Sequence, residues 1–147
     1  QIMDQYPRSQ SAAVAQYYVG NAYRELHNWD KAIDAYKAFI KRYPKHSLLP
    51  TVSVSLGYVY LQKTQYPEAI SIFQTAVDQK SPLSAQAAFE VARAYELSNA
   101  PSTALTKYES VKKDYPGSPW AQEAAARLNQ SKDQKEKGDN PGGLSSQ

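Results

Sequence analysis

Apolar residues recur along this chain at the spacing of an α-helix, and they do so in paired segments. In the second segment of the first pair they lie three or four positions apart, on one helical face. These apolar residues are Ala32, Tyr36, Phe39, Ile40 and Tyr43. The pattern predicts short helices joined in pairs by tight turns, with the second helix of each pair starting at Asp30, Pro67 or Ser102.

One sequence unit occurs three times in the chain. Its first copy is Gly20-Asn21-Ala22-Tyr23, and the tyrosine that ends it recurs at Tyr60 and Tyr95, after 37 and 35 residues. Self-similarity at such a period is the signature of a helical repeat array. A small residue lets two helices approach, and an aromatic side chain fills the space beside it. We therefore expect one aromatic residue of each copy to be buried against small residues of its own repeat: Tyr36, Phe73 and Tyr108.

The order of a glycine, Asn-Ala-Tyr, an alanine, a tyrosine and a proline resembles the tetratricopeptide repeat. The resemblance covers residues 1–130. It implies an all-α fold, a right-handed superhelix of antiparallel helix pairs with three full repeats and a C-terminal capping helix. The sequence departs from the family at the turn within each repeat, where the usual glycine is replaced by His27, Thr64 and Asn99.

The repeat spacing divides the chain into three parts. The predicted repeat domain covers residues 9–136, with repeats at about 9–46, 47–80 and 81–117 and a capping helix at 118–136. Residues 1–8 are interpreted as the end of a preceding repeat, so any targeting segment would lie upstream. Residues 137–147 are rich in glycine and polar residues and are predicted to form a flexible tail.

A short phrase precedes three of the predicted helices. It begins with Tyr-Pro and ends with serine, as in Tyr6-Pro7-Arg8-Ser9 and Tyr115-Pro116-Gly117-Ser118. This junction is similar to that of bacterial cell-envelope repeat proteins, such as the periplasmic Tol-Pal coordinator and the lipoprotein of the outer-membrane β-barrel assembly machine. The similarity implies a periplasmic or envelope-associated protein, and a cytoplasmic location is the alternative.

Composition narrows the classes of function. The chain has no cysteine, which excludes disulfides and cysteine-based metal sites. The two histidines, His27 and His46, lack ligand spacing, and no glycine-rich phosphate loop or serine nucleophile motif occurs. No apolar run reaches the length of a transmembrane helix. We therefore predict a non-enzymatic protein with no cofactor and no transmembrane segment.

Charge is concentrated in one stretch. Residues 29–46 hold five basic and two acidic residues, a difference that equals the net charge of +3 of the whole chain. Lys37, Lys41 and Lys45 are spaced to share one helix face. A solvated outer face is the simpler interpretation, and a docking patch for an acidic partner or lipid headgroups is the alternative. The remaining repeats are balanced in charge, which disfavours nucleic-acid binding.

The resemblance also implies a binding surface, because the first helix of each tetratricopeptide repeat lines the inner groove of the superhelix. Three aromatic side chains are expected to face one channel, although burial of some of them between repeats is the alternative. The arginines are expected to hold a carboxylate and the asparagine a peptide backbone. The matching residues are Tyr17, Asn21, Arg24, Val54, Tyr58, Leu61, Phe89, Arg93 and Glu96.

The predicted function is therefore a protein-interaction module that binds a peptide segment of a partner protein, within a bacterial envelope assembly. The alternative is a structural role, in which the repeats mediate self-association or act as a spacer without a peptide ligand.

Overall fold

A computed structural model describes residues 10–139, and within this range the chain forms seven helices and no strand. The predicted end of a preceding repeat, residues 1–8, lies outside the described residues, as do residues 140–147. The helices are α1 (Gln10–Glu25), α2 (Trp29–Arg42), α3 (Leu49–Gln62), α4 (Tyr66–Asp78), α5 (Ser84–Leu97), α6 (Pro101–Asp114) and α7 (Pro119–Asp139).

The helices form a solenoid. Each helix packs against the next one along the chain, and α7 also reaches α5. The pairs α1–α2, α3–α4 and α5–α6 are the three repeats, and the predicted all-α repeat fold is confirmed. The core is divided in the same way, since one apolar cluster is centred on the aromatic residue of each pair.

The packing of an aromatic side chain against a small residue explains how the two helices of a repeat fit together. Tyr36, Phe73 and Tyr108 are fully or almost fully buried, as predicted. The rings of Tyr36 and Phe73 lie against the backbone of Gly20 and Gly57. Only a residue without a side chain permits so close an approach of two helices.

The turn within each repeat has the same backbone geometry in all three copies. His27, Thr64 and Asn99 adopt left-handed φ angles of 57°, 55° and 64°. The amide of the residue that follows each of them bonds a carbonyl five positions earlier, as Asn28 bonds Tyr23 at 2.9 Å. This is the Schellman ending of a helix, in which glycine is the usual left-handed residue. The chain therefore keeps the turn of the family while lacking its glycine.

The second helix of each pair starts one residue earlier than predicted, at Trp29, Tyr66 or Pro101. At the first of these starts the Asn28 side chain accepts a hydrogen bond from the Lys31 amide at 3.4 Å, which makes Asn28 the cap. The residue after the cap is therefore already helical.

The last helix covers the third repeat. Ala121, Ala124 and Leu128 of α7 are buried on α6 and α5. The helix continues to Asp139, three residues past the predicted end at residue 136, so residues 137–139 are helical and do not belong to a tail. Lysine, glutamine and glutamate from residue 132 onward are good helix formers, which explains the continuation without further burial.

Candidate functional site

The nine residues predicted to line the groove do not all reach a surface. Two of them, Val54 and Phe89, are buried at 6% and 3% exposure, which corrects the prediction that they face a ligand. Val54 belongs to the apolar cluster around Phe73. The Phe89 ring packs between Tyr108 and Trp120, with both centroids 5.4 Å away. The helix position that they share points towards the second helix of the same repeat rather than into the channel.

The two predicted groove tyrosines, Tyr17 and Tyr58, are half-buried, and each packs against the buried aromatic residue of its own repeat. The Tyr17 ring lies 6.3 Å from that of Tyr36, and the Tyr58 ring lies 5.4 Å from that of Phe73. Each ring therefore extends the core of its own repeat to the surface. A continuous row of exposed aromatic side chains is not formed.

At the first repeat the polar residues of the surface are arranged around the buried tyrosine. The Tyr36 hydroxyl donates a hydrogen bond of 2.5 Å to Asn21 Oδ1, and burial raises the pKa of Tyr36. The Asn21 carboxamide keeps its amino group as a donor for a ligand. Arg24, one turn further along α1, is half-buried and has no ion pair among residues 10–139.

A buried carboxylate connects the second and third repeats. Glu90 of α5 is 4% exposed and accepts hydrogen bonds from the Tyr58 hydroxyl at 3.0 Å and from Arg93 Nε at 2.7 Å. Gln86 donates to the same hydroxyl at 2.8 Å. Burial, together with the neighbouring Glu90 charge, raises the pKa of Tyr58 to about 12. Because Glu90 compensates its charge, Arg93 is not the free cation that the carboxylate-binding prediction requires.

A second network connects the third repeat to the capping helix. The Tyr108 hydroxyl donates to Glu96 at 2.6 Å, and Arg127 of α7 lies 3.3 Å from the same carboxylate. Arg127 also pairs with Glu123 at 3.5 Å. Burial, with this hydrogen bond, raises the pKa of Tyr108 well above its usual range. Glu96 is exposed, and its carboxylate belongs to a shared ion pair.

A cavity of about 450 Å³ opens between α5 and α7, at the end of this surface. Its apolar part is the Trp120 side chain with the small exposed edge of the otherwise buried Phe89 ring, and Arg93, Glu123 and Arg127 stand beside them. Pro119 completes the lining. Half of the lining residues are charged, so the cavity combines an aromatic wall with a charged edge, an arrangement suited to one large side chain of a bound segment. We give the name inner surface to this cavity together with four of the residues predicted to line the groove, Asn21, Arg24, Tyr58 and Leu61.

Several residues of the two hydrogen-bond networks and of the cavity between α5 and α7 were missed from the sequence. They are Gln86, Glu90, Trp120, Glu123 and Arg127. The spacing of Glu90 and Arg93, three apart on one helix, was an available signal for an ion pair. The contribution of Trp120, Glu123 and Arg127 had no such signal, because it depends on how their helix, α7, crosses α5.

A larger cavity, of about 490 Å³, lies between α2 and α4 and is also lined by residues of α3. Ile40, Leu56, Tyr60 and Ile72 contribute apolar surface, and Lys37 and Lys41 stand beside them. Lys45 does not share their helix face, because α2 ends at Arg42. The predicted basic face is therefore reduced to two lysines.

No helix within residues 10–139 combines the length and the apolar character that crossing a bilayer requires. The same residues contain no group of three or more His, Cys, Asp or Glu side chains placed to hold a metal ion.

Two family models described as tetratricopeptide repeat match this chain, one at residues 11–81 and the other at residues 54–119. Residues 11–119 belong to the tetratricopeptide-repeat family. No curated protein sequence matches the chain.

Solved tetratricopeptide domains have the same fold. The N-terminal domain of stress-induced protein-1 from C. elegans has a TM-score of 0.68 at 20% identity, covering 79% of this chain and 94% of that one. The TPR2B domain of yeast Sti1, in a complex with pHsp70, has a TM-score of 0.66 at 20% identity, covering 83% and 97%. The second TPR domain of human RPAP3, in complex with the HSP70 peptide SGPTIEEVD, has a TM-score of 0.62 at 17% identity, covering 80% and 98%.

Proposed function

We propose that this chain is a protein-interaction module that binds a segment of a partner protein along its inner surface, with one large apolar side chain in the cavity between α5 and α7. The observation that carries the proposal is that cavity, where the Trp120 side chain stands beside the charged residues Arg93, Glu123 and Arg127. Similar solved domains hold peptides, which supports a binding role without a reaction.

The charges of the inner surface indicate which segment it accepts. Two arginines line the cavity, Arg93 and Arg127, and their guanidinium groups pair with three carboxylates, those of Glu90, Glu96 and Glu123. Both arginines are already paired, so this end of the surface offers no uncompensated positive charge. We therefore assign it an uncharged or basic segment, unlike the peptide SGPTIEEVD of the human relative, which contains three acidic residues.

Fluorescence of Trp120 tests this assignment directly. The chain has two tryptophans, so the variant Trp29→Phe leaves Trp120, which lines the cavity, as the only reporter. The probes are nonapeptides that share one leucine and one phenylalanine and differ only at the flanking positions, which are all Lys, all Gln or all Glu. Affinity is expected to be modest, with a Kd of about 10–1,000 µM, because a flexible peptide must be ordered.

The expected order of affinity is Lys first, Gln second and Glu last, with a change in Trp120 emission on binding. Arg127→Gln is the matched variant, because it leaves Glu96 and Glu123 unpaired and should increase the preference for the Lys peptide. Tightest binding of the Glu peptide would overturn the assigned charge preference. Unchanged emission with all three probes would overturn the cavity as the binding site.

The location of the module is a separate proposal, supported by the Tyr-Pro-x-Ser junctions. We place it in a bacterial cell envelope, on the periplasmic side, where it would take part in an assembly. Osmotic-shock fractionation of the source cells tests this: the protein should leave the cells with periplasmic enzymes. Recovery with cytoplasmic enzymes would contradict it and favour the cytoplasmic alternative.

A further inference from the structure

The cavity between α2 and α4 has apolar walls and a basic edge. Four large apolar side chains line it: Ile40, Leu56, Tyr60 and Ile72. Leu56 is buried, and the other three are half-buried. The volume of about 490 Å³ falls within the range of small-molecule sites in proteins. All of its lining residues lie between positions 37 and 72, so the first two repeats form the cavity by themselves.

The same position in the next two repeats is different. The cavity there, between α4 and α6, has a volume of about 190 Å³, less than half of the first. Gln74 and Lys107 line it at the positions that match Lys37 and Ile72 of the first cavity. The combination of a wide apolar wall with lysines at its edge therefore belongs to the first two repeats and is not a general property of the repeat.

The two lysines carry charge that the described chain leaves uncompensated. Lys37 and Lys41 lie one turn apart on α2, both are exposed, and neither forms an ion pair within residues 10–139. Glu68 is the one carboxylate among the lining residues, and it stands in the first turn of α4, where the helix dipole stabilises it. The edge of the cavity therefore attracts an anion.

These features select a ligand with an apolar body and an anionic head group. The walls come from helices, whose backbone groups bond within each helix, so a bound peptide would find few partners for its own amides. An aliphatic chain has no such groups, and burying its methylenes is favourable. We propose that the cavity between α2 and α4 binds a free aliphatic carboxylate, with its chain on the apolar walls and its head group at the two lysines. This site shares no residue with the inner surface.

Isothermal titration calorimetry of the full chain at neutral pH tests the proposal with three probes. Sodium decanoate, below its micelle concentration, should bind at one site with a Kd of about 10–1,000 µM. Decyltrimethylammonium has the same chain with the opposite charge and should bind at least about tenfold more weakly. Acetate has the charge without the chain and should give no saturable heat, because it buries almost no apolar surface.

Two variants test the two parts of the site separately. Ile72→Gln makes one wall polar, and the next repeat already carries a polar residue, Lys107, at the matching position. Lys37→Gln combined with Lys41→Gln removes both charges from the edge. Each variant should weaken decanoate binding by at least about tenfold. The lysine variant should bind decyltrimethylammonium no more weakly than the unmodified protein does. Helical content should not change, because these side chains are exposed or half-buried.

The matched control is Lys132→Gln combined with Lys135→Gln, which removes the same charge from the exposed part of α7 and should leave decanoate binding unchanged. The absence of saturable decanoate binding, which is also expected if another part of the chain fills the cavity, would overturn the proposal. So would equal affinity for decanoate and decyltrimethylammonium, or decanoate binding that neither cavity variant weakens.

Discussion

The ring of Tyr36 occupies the space in which a side chain of Gly20 would stand. The two residues lie on different helices of the first repeat, and the hydroxyl of the same ring then reaches Asn21 on the surface. One pair of residues thus sets the distance between α1 and α2 and orients a polar group of the inner surface. Gly57 and Phe73 repeat the packing in the second copy, but without the hydroxyl.

Replacing Gly20 by alanine should therefore destabilise the fold. An added methyl group would meet the buried Tyr36 ring, and overpacking of this kind costs about 1–3 kcal/mol. Gly138→Ala is the matched control, because it is also a helical glycine but has open space around it. It should leave stability unchanged or raise it by up to about 1 kcal/mol. Urea unfolding of both variants measures the difference, and equal effects would disprove the packing argument.

Glu90→Ala should lower the free energy of unfolding by about 2–3 kcal/mol, since it removes a buried carboxylate that accepts two hydrogen bonds. Glu109→Ala is its control, because Glu109 is exposed and makes only a 3.9 Å ion pair with Lys112. That change should cost less than about 0.5 kcal/mol. If chemical denaturation gives similar losses for the two, the network does not stabilise the junction between the second and third repeats.

Thr64→Gly should stabilise the protein by about 1 kcal/mol. Thr64 is β-branched and held at a φ of 55°, a conformation that is costly for such a residue and free of strain for glycine. Thr75→Gly serves as the comparison, because Thr75 is exposed inside α4 and the change should cost about 1 kcal/mol there. Thermal unfolding should therefore move in opposite directions for the two variants. A lower Tm for Thr64→Gly would show that the turn is not strained.

Stability should fall at alkaline pH. The pKa of Tyr58 is raised from 10.0 to about 12 in the folded chain, so the folded state keeps a proton that the unfolded chain releases near pH 10. The stabilisation is complete below pH 10 and is lost as the pH rises towards 12. Tyr108, whose pKa is also raised, adds to the effect. Denaturation measured across this range should show a shallower pH dependence for Tyr58→Phe, and parallel curves would refute the assignment.

The fold was predictable because its determinants are local and repeat. Spacing alone placed Tyr36, Phe73 and Tyr108 in the core, and the recurring turn survives at His27, Thr64 and Asn99 without its glycine. The helix starts were missed by one residue because the capping role of Asn28 depends on the geometry of the turn.

The inner surface was harder to predict, because it depends on contacts between repeats. Phe89 was expected in the groove, but the packing of α7 places Trp120 against its ring. The sequence did not single out Glu90, because its role depends on α3, which brings the Tyr58 hydroxyl to its carboxylate. A repeat pattern defines which residues share a helix face, whereas the crossing of neighbouring helices decides which of those faces remain open.

The most direct test of the proposed function is site-specific photo-crosslinking in the source cells. A photoreactive amino acid at Leu61 or Glu123 reports on the inner surface, and one at Lys37 or Ser71 reports on the cavity between α2 and α4. We predict that Leu61 and Glu123 become linked to the same partner protein, and to the same segment of it. Lys37 and Ser71 should form no such crosslink. Crosslinks from Lys37 and Ser71 but not from Leu61 and Glu123 would contradict the account and move the binding site to the cavity between α2 and α4.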